Sequence, residues 1–177
     1  MQLLQLAQEE LTRSNADKKH PFRYFVLATL GDYPEVRTVV SRKVTQDLSV
    51  VFFTDTRSPK VAQIEDKARV SALYYHPKKK LQVRIKGTAT LISASDPTYT
   101  QFLHQAQQSS LKDYTTQKAP GSILEAIDDT LTQEKVYFSP IKITPAIVEV
   151  LQLGREQHLR SAYYKQEDTW VEKKLVP

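Results

Sequence analysis

Hydrophobic and polar positions change period along this chain, and the changes mark its elements. Leu3, Leu4, Ala7 and Leu11 recur at helical spacing with Glu9 and Glu10 opposite, which predicts a short amphipathic helix over about residues 1–14. Residues 22–30 are rich in β-formers and stop at the turn signal Gly31-Asp32-Tyr33-Pro34. Residues 36–43 alternate. Val36, Thr38 and Val40 face one way, and Arg37, Val39 and Ser41 the other. A turn at 45–48 leads to a third strand over 49–54, and these three strands read as a meander.

Helical spacing returns at Val61, Ile64 and Ala68, with Ser58 as N-cap and Pro59 at the first helical position. Residues 69–76 form a fourth strand. Residues 81–93 form a long fifth one, with Leu81, Val83 and Ile85 on one face and Gln82, Arg84 and Lys86 on the other. Gly87 marks a bulge, the usual device where a strand bends to close a barrel. From 96 to about 134 the pattern is helical, broken at 117–122. Three strands follow, over 146–153, 158–165 and 169–176, with Pro140 and Pro145 bounding a linker into them. The expected architecture is a single domain over 1–177, mainly β (α+β), an antiparallel barrel with helical covers.

Composition adds limits. The 177 residues carry a formal charge of +5 and contain no cysteine, so disulfides and thiolate sites are excluded. No run approaches the ~18 apolar residues of a membrane span, and the start lacks a secretory pattern. A cytoplasmic protein is expected. Basic residues alternate with acidic ones without a nucleic-acid-binding motif. No His/Asp/Glu set has metal-ligand spacing, and His20, His76 and His104 carry no motif. Tyr74-Tyr75 and Tyr163-Tyr164 place one ring of each pair on the second face of its strand. A partner covering that face is the natural inference, and Trp170 suits either the core or an interface.

The chemistry concentrates at Thr54-Asp55-Thr56-Arg57-Ser58-Pro59-Lys60. A helix start already carries about half a positive charge, so Arg57 and Lys60 there call for an anion. Arg37, Thr54 and Ser58 can converge on it to form a phosphate site if their strands are neighbours. The competing account pairs these arginines with Asp32, Glu35, Asp47 and Asp55. Neither G-x-G-x-x-G nor G-x-x-x-x-G-K-[ST] occurs.

These residues resemble a known family. An Arg in strand two, an aromatic-Thr end to strand three, Ser-x-Lys at the helix start and Gln-Val-Arg-x-x-Gly in strand five are similar to the FMN-binding core of pyridoxamine 5'-phosphate oxidase-like proteins. The resemblance is strong over 24–93 and partial over 146–177. It implies an FMN-binding split barrel that forms a homodimer, with FMN at the subunit interface and a small-molecule substrate. It further implies that Arg37 and Lys60 hold the FMN phosphate, with Arg57 and Ser58 beside them. Residues 37–42 (Arg37, Thr38, Val39, Val40 and Arg42 among them) would lie along the flavin ring. Phe53 and Thr54 match a pair at the ribityl and phosphate end. Gln82 and Gln117 match glutamines that contact the flavin from the other subunit, and Arg160 an arginine near the ring. His158 and Arg160 would line the substrate side as the catalytic candidates. Arg84, on the face of Gln82, suits an intersubunit ion pair.

Departures from the family pattern fall on the substrate side. Glu156 stands where the oxidase has an Arg, Leu151 where it has a Trp, and Pro59 where it has a second basic residue. Thr100, His104 and Gln108 occupy the register of a Tyr, Arg and Ser that hold substrate phosphate. The resemblance therefore implies an FMN-dependent oxidoreductase acting on something other than pyridoxine or pyridoxamine phosphate. A true pyridoxamine 5'-phosphate oxidase, and a non-enzymatic flavin, deazaflavin or haem binder, remain open beside it.

Overall fold

A computed structural model describes residues 2–109, 111–124 and 132–177. Helix α1 (Gln2–Ala16) is followed by a 3-10 turn at Pro21–Arg23 and by β1 (Tyr24–Leu30), β2 (Pro34–Val40), β3 (Lys43–Val44) and β4 (Val50–Asp55). Then come α2 (Pro59–Asp66), β5 (Arg69–His76), β6 (Leu81–Leu91), α3 (Tyr99–Gln107), a 3-10 turn at Leu111–Tyr114, β7 (Phe138–Gln152), β8 (Leu159–Gln166) and β9 (Thr169–Lys174). Every pairing is antiparallel, in the order β2-β1-β5-β6-β7-β4-β3, with β8 on β7 and β9 on β8. This is the split β-barrel, mostly antiparallel sheet with helical covers.

Three expectations change. The first three strands are not a meander, because β4 pairs with β7 and the two-residue β3 rather than with β2. The proposed linker is strand: β7 starts at Phe138 and includes both prolines. Pro140 lies opposite Phe53 and gives its carbonyl to Ile92 N–H at 2.9 Å. Pro145 sits at a bulge, where proline is tolerated. There the register shifts between Lys86 and Gly87, so that Gly87 opposes Pro145. A Cβ on Gly87 would lie 2.1 Å from the Thr144 carbonyl oxygen, so only glycine lets the two strands approach. Finally, the region expected to be helical over 96–134 is so only at α3 and Leu111–Tyr114 among the described residues; 110 and 125–131 lie outside them.

Two cores result. The barrel core includes Phe25, Leu27, Phe52, Tyr74, Ile85, Val148 and Tyr163, with α1 closing it through Leu3, Leu4, Ala7 and Leu11. Trp170 packs against it, partly buried. A second cluster of Val51, Phe53, Phe102, Ala106, Tyr114 and Phe138 sits on the other face of β4. All six β4 residues are therefore buried, which is why 50–55 reads as an unbroken run rather than an alternation. Strand registers put Tyr24, Val26, Leu73, Tyr75, Gln82, Arg84, Glu149 and Arg160 on one shared outer face. No helix among the described residues is long and apolar enough to cross a membrane.

Candidate functional site

Strand β2 inverts the usual pattern. Val36 points outward and is 64 % exposed, whereas Arg37 shares the inner face with its β1 partner Leu27. There it meets α2, which packs on β1. Arg37 donates to the Thr29 hydroxyl and, at 3.2 Å, to Gln63 Oε1; Thr29 Oγ1 in turn donates to the same Gln63 oxygen at 2.6 Å. The Glu35 carboxylate lies 3.6 Å from Arg37 and is half exposed. Burial lowers the Arg37 pKa, against the pull of Glu35.

From the end of β4 and the start of α2 come Thr54, Ser58 and Lys60. Lys60 Nζ donates to Thr54 Oγ1 at 3.0 Å, and Thr54 and Ser58 share a hydroxyl–hydroxyl bond of 3.0 Å. Ser58 is the N-cap by backbone, with Pro59 first in the helix, but its side chain makes no capping bond. First-turn N–H groups have no partner within a helix. Burial first, and the neighbouring Arg37 guanidinium second, pull the Lys60 amine below its ordinary value; Asp55 opposes this without reversing it. Two close cations, two hydroxyls and a helix start form a donor set that can hold a phosphate-type anion. The strands do not meet as a β2–β4 pair; α2 lying over β1 brings the groups together. Thr29 and Gln63, which orient Arg37, carry no motif and were not singled out from sequence.

The remaining candidates lie apart. Arg57 is engaged elsewhere: it pairs with Asp55 at 2.7 Å, donates to the Thr116 and Gln117 carbonyls at 2.9 and 3.0 Å, and lies 3.5 Å over the Tyr137 ring. Arg42 lies 5.1 Å over the Phe53 ring. Thr38, Val39 and Val40 belong to the edge strand, which pairs only with β1 among the described strands. Gln82 is on the outer face. Arg160 donates through Nε to Glu149 Oε1 at 3.0 Å, and Arg84 bonds the other oxygen of that carboxylate. The ion pair of Arg84 is thus made within one chain. Burial tends to raise the Glu149 pKa, but the two guanidinia outweigh it and hold the carboxyl below its usual range. His158 is exposed, and with Arg160, Glu172 and Lys174 it lines a cleft of about 470 Å³. No hydrogen bond or ion pair among the described residues joins this end to Arg37 or Lys60.

A further cluster was not anticipated. Glu10, expected on the solvent side of α1, is 2 % exposed. It takes Lys79 Nζ at 2.7 Å, Arg13 at 3.2 Å and His20 Nε2 at 3.2 Å, with His76 Nε2 at 3.6 Å. Two histidines and a carboxylate within 4.8 Å have the composition of a metal site. Their hydrogen bonds do not suit one. The Nδ1 of His20 accepts Phe22 N–H and that of His76 accepts Lys79 N–H. Each neutral ring therefore carries its proton on Nε2, the atom facing Glu10, where a metal would need a lone pair.

The fold is that of a split-barrel protein, with two cations and two hydroxyls gathered at the start of α2. Residues 4–93 match the family described as pyridoxamine 5'-phosphate oxidase, FMN-binding domain, and the chain belongs to that family. It is 29 % identical over 170 residues to the pyridoxine/pyridoxamine 5'-phosphate oxidase of Psychrobacter cryohalolentis, covering 85 % of this chain and 77 % of that protein. The crystal structure of a pyridoxamine 5'-phosphate oxidase-related, FMN binding protein from Nostoc punctiforme superposes with a TM-score of 0.76 at 25 % identity, over 98 % of this chain and 96 % of that one. PhzG from Burkholderia lata, solved with tetrahydrophenazine-1-carboxylic acid, shares the fold at a TM-score of 0.71 and 17 % identity, over 98 % and 92 % of the two chains.

Proposed function

We propose that this chain binds FMN between two copies of itself, and that it is an oxidoreductase acting on a small molecule other than pyridoxine or pyridoxamine phosphate. The observation that carries the cofactor assignment is the Arg37–Lys60 pair. Lys60 donates to the buried Thr54 hydroxyl and Arg37 to the buried Thr29 hydroxyl, while the buried Asp55 carboxylate is committed to Arg57. Arg37 and Lys60 would hold the phosphate, with Thr54 and Ser58 donating beside them. The edge of β2, unpaired among the described strands, would offer backbone groups to the ring. When bound, FMN supplies hydride acceptance or donation. His158 and Arg160 line the substrate side in this reading, and Gln82 and Gln117 reach the flavin. Tyr24 and Tyr75, more than half exposed on the outer face, support a second copy seated there.

The substrate part rests on charge. Glu156 would repel a phosphate, and Thr100, His104 and Gln108 are exposed positions without a fixed cation. A true oxidase is the second reading, favoured by the relatives of that name. Titrating FMN into purified protein should quench flavin fluorescence, and scattering should report a dimer. Unquenched fluorescence rejects the cofactor; a monomer rejects the shared site. Turnover of pyridoxine or pyridoxamine phosphate to the aldehyde would establish the second reading instead.

A further inference from the structure

Arg57 looks from sequence like part of the anion site, yet its charge is spent elsewhere. The Asp55 carboxylate, 3 % exposed at the end of β4, needs a cationic partner to be buried. Arg57 supplies it through its backbone N–H at 2.8 Å, Nε at 3.0 Å and a terminal nitrogen at 2.7 Å. The same guanidinium stacks on Tyr137 and donates to the carbonyls of Thr116 and Gln117. Backbone bonds complete the junction: Thr56 N–H to Tyr137 O at 2.8 Å, and Tyr137 N–H to Tyr114 O at 2.7 Å. Farther on, Gly121, at φ +88°, passes close enough to α2 that a Cβ there would touch the Pro59 ring at 3.7 Å. Residues 114–121 are thereby tied to the turn that opens α2.

We propose that Arg57 is a positioning residue: paired with Asp55, it fixes segment 115–117 against the start of α2 and so sets Gln117 as a wall of the cofactor pocket. This rests on the FMN reading. It assigns phosphate binding to Arg37 and Lys60, and gives Arg57 the separate task of coupling residues 114–121 to the turn that opens α2. A planar fork that serves a carboxylate, two carbonyls and a ring at once is a task lysine cannot perform.

The test compares Arg57→Lys with wild type. Arg57→Lys keeps a cation next to Asp55, and Tyr137→Leu, which removes the stacking ring and the hydroxyl that accepts from Gln133 Nε2 but leaves the Arg57–Asp55 pair, guards against loss of fold. In cofactor-free protein, amide exchange at Thr116, Gln117 and Lys118 should accelerate by about tenfold or more, as expected when charge-assisted bonds are lost. FMN and riboflavin affinities should then fall by the same factor, because a displaced wall affects both. A loss confined to FMN would make Arg57 a phosphate ligand and overturn the proposal, as would unchanged exchange in both variants. Wild-type protein that binds neither flavin rejects the cofactor reading, while the exchange measurement still decides whether Arg57 tethers the segment.

Discussion

Two pairs of cations in this molecule are built differently. Arg84 and Arg160 converge on the outer face, and Glu149 lies between them with one oxygen for each. Their charge is answered within the chain. Arg37 and Lys60 converge on the inner side of β2, where the groups that meet them are hydroxyls, an amide and a half-exposed Glu35. Coulomb repulsion and desolvation both act against that second arrangement. The contrast separates arginines paired with a buried carboxylate within the chain from cations that, under the proposed function, are kept for an external anion. It also accounts for Arg57, whose partner Asp55 places it with the first kind despite its position beside Ser58.

The sharpest way to break the comparison is to remove the inner pair, for which the half-exposed Glu35 is the one ion-pair partner among the described residues. Arg37→Ala with Lys60→Ala should weaken FMN binding by on the order of 1.5–3 kcal/mol for each charge-assisted bond, at least about a hundredfold together. Cofactor-free protein should melt at the same temperature as wild type or slightly higher, since repelling charges have gone. Fluorescence titration and a thermal melt read the two effects. A melt lowered as far as that of the next variant would show that these cations are structural after all.

Glu149→Gln should do the reverse. It strips the shared charge from two guanidinia, each of which keeps about a third of its side chain in solvent. That exposure reduces the cost of a broken buried pair to roughly 1–3 kcal/mol. The expected fall in Tm is roughly 2–12 °C for a chain of this size, read by differential scanning calorimetry on the cofactor-free protein. An unchanged Tm would mean that solvent screens the triad completely and that the outer face gains nothing from it.

Local signals in the sequence were sound where local physics decides. The alternation over 69–76 became β5 with the same bounds, Ser58-Pro59 opened α2, and Gly87 became a bulge because no side chain fits against Thr144. What could not be read was pairing between distant segments. Nothing within 49–54 reveals that its partner is 138–143, and two prolines made that partner look like a linker. The same limit hid the arrangement of the site. Arg37 and Lys60 were identifiable as cations near strand and helix ends, but their meeting depends on α2 crossing β1, and Gln63 and Thr29 join them only through that packing. Glu10 was misplaced for a related reason. Helical spacing set it opposite the apolar stripe, whereas His20, His76 and Lys79, up to 69 residues away, close over it.

Glu10 extends the comparison to a third case, a buried carboxylate whose surroundings change with pH. Lys79, Arg13, His20 and His76 face it; burial tends to raise its own pKa, but Lys79, His20 and Arg13 outweigh this and draw it down. Burial first lowers the His76 pKa; His20 and Lys79 add to this, and Glu10 opposes it without prevailing. The unfolded chain therefore takes up a proton at His76 near its ordinary value, about 6.5, before the folded chain does. By linkage, stability is full above that value and falls as the pH drops toward the folded pKa. Protonation at Nδ1 would also break the bond from Lys79 N–H. His76→Gln keeps a polar side chain with both an acceptor and a donor, so at pH 8 it should cost no more than one hydrogen bond, roughly 0.5–1.5 kcal/mol. Between pH 6.5 and 5 its Tm should fall less steeply than that of wild type. Parallel Tm–pH curves would place the acid sensitivity of α1 and the β5–β6 hairpin elsewhere, and leave Glu10 as fully answered at low pH as Glu149 is at neutral pH.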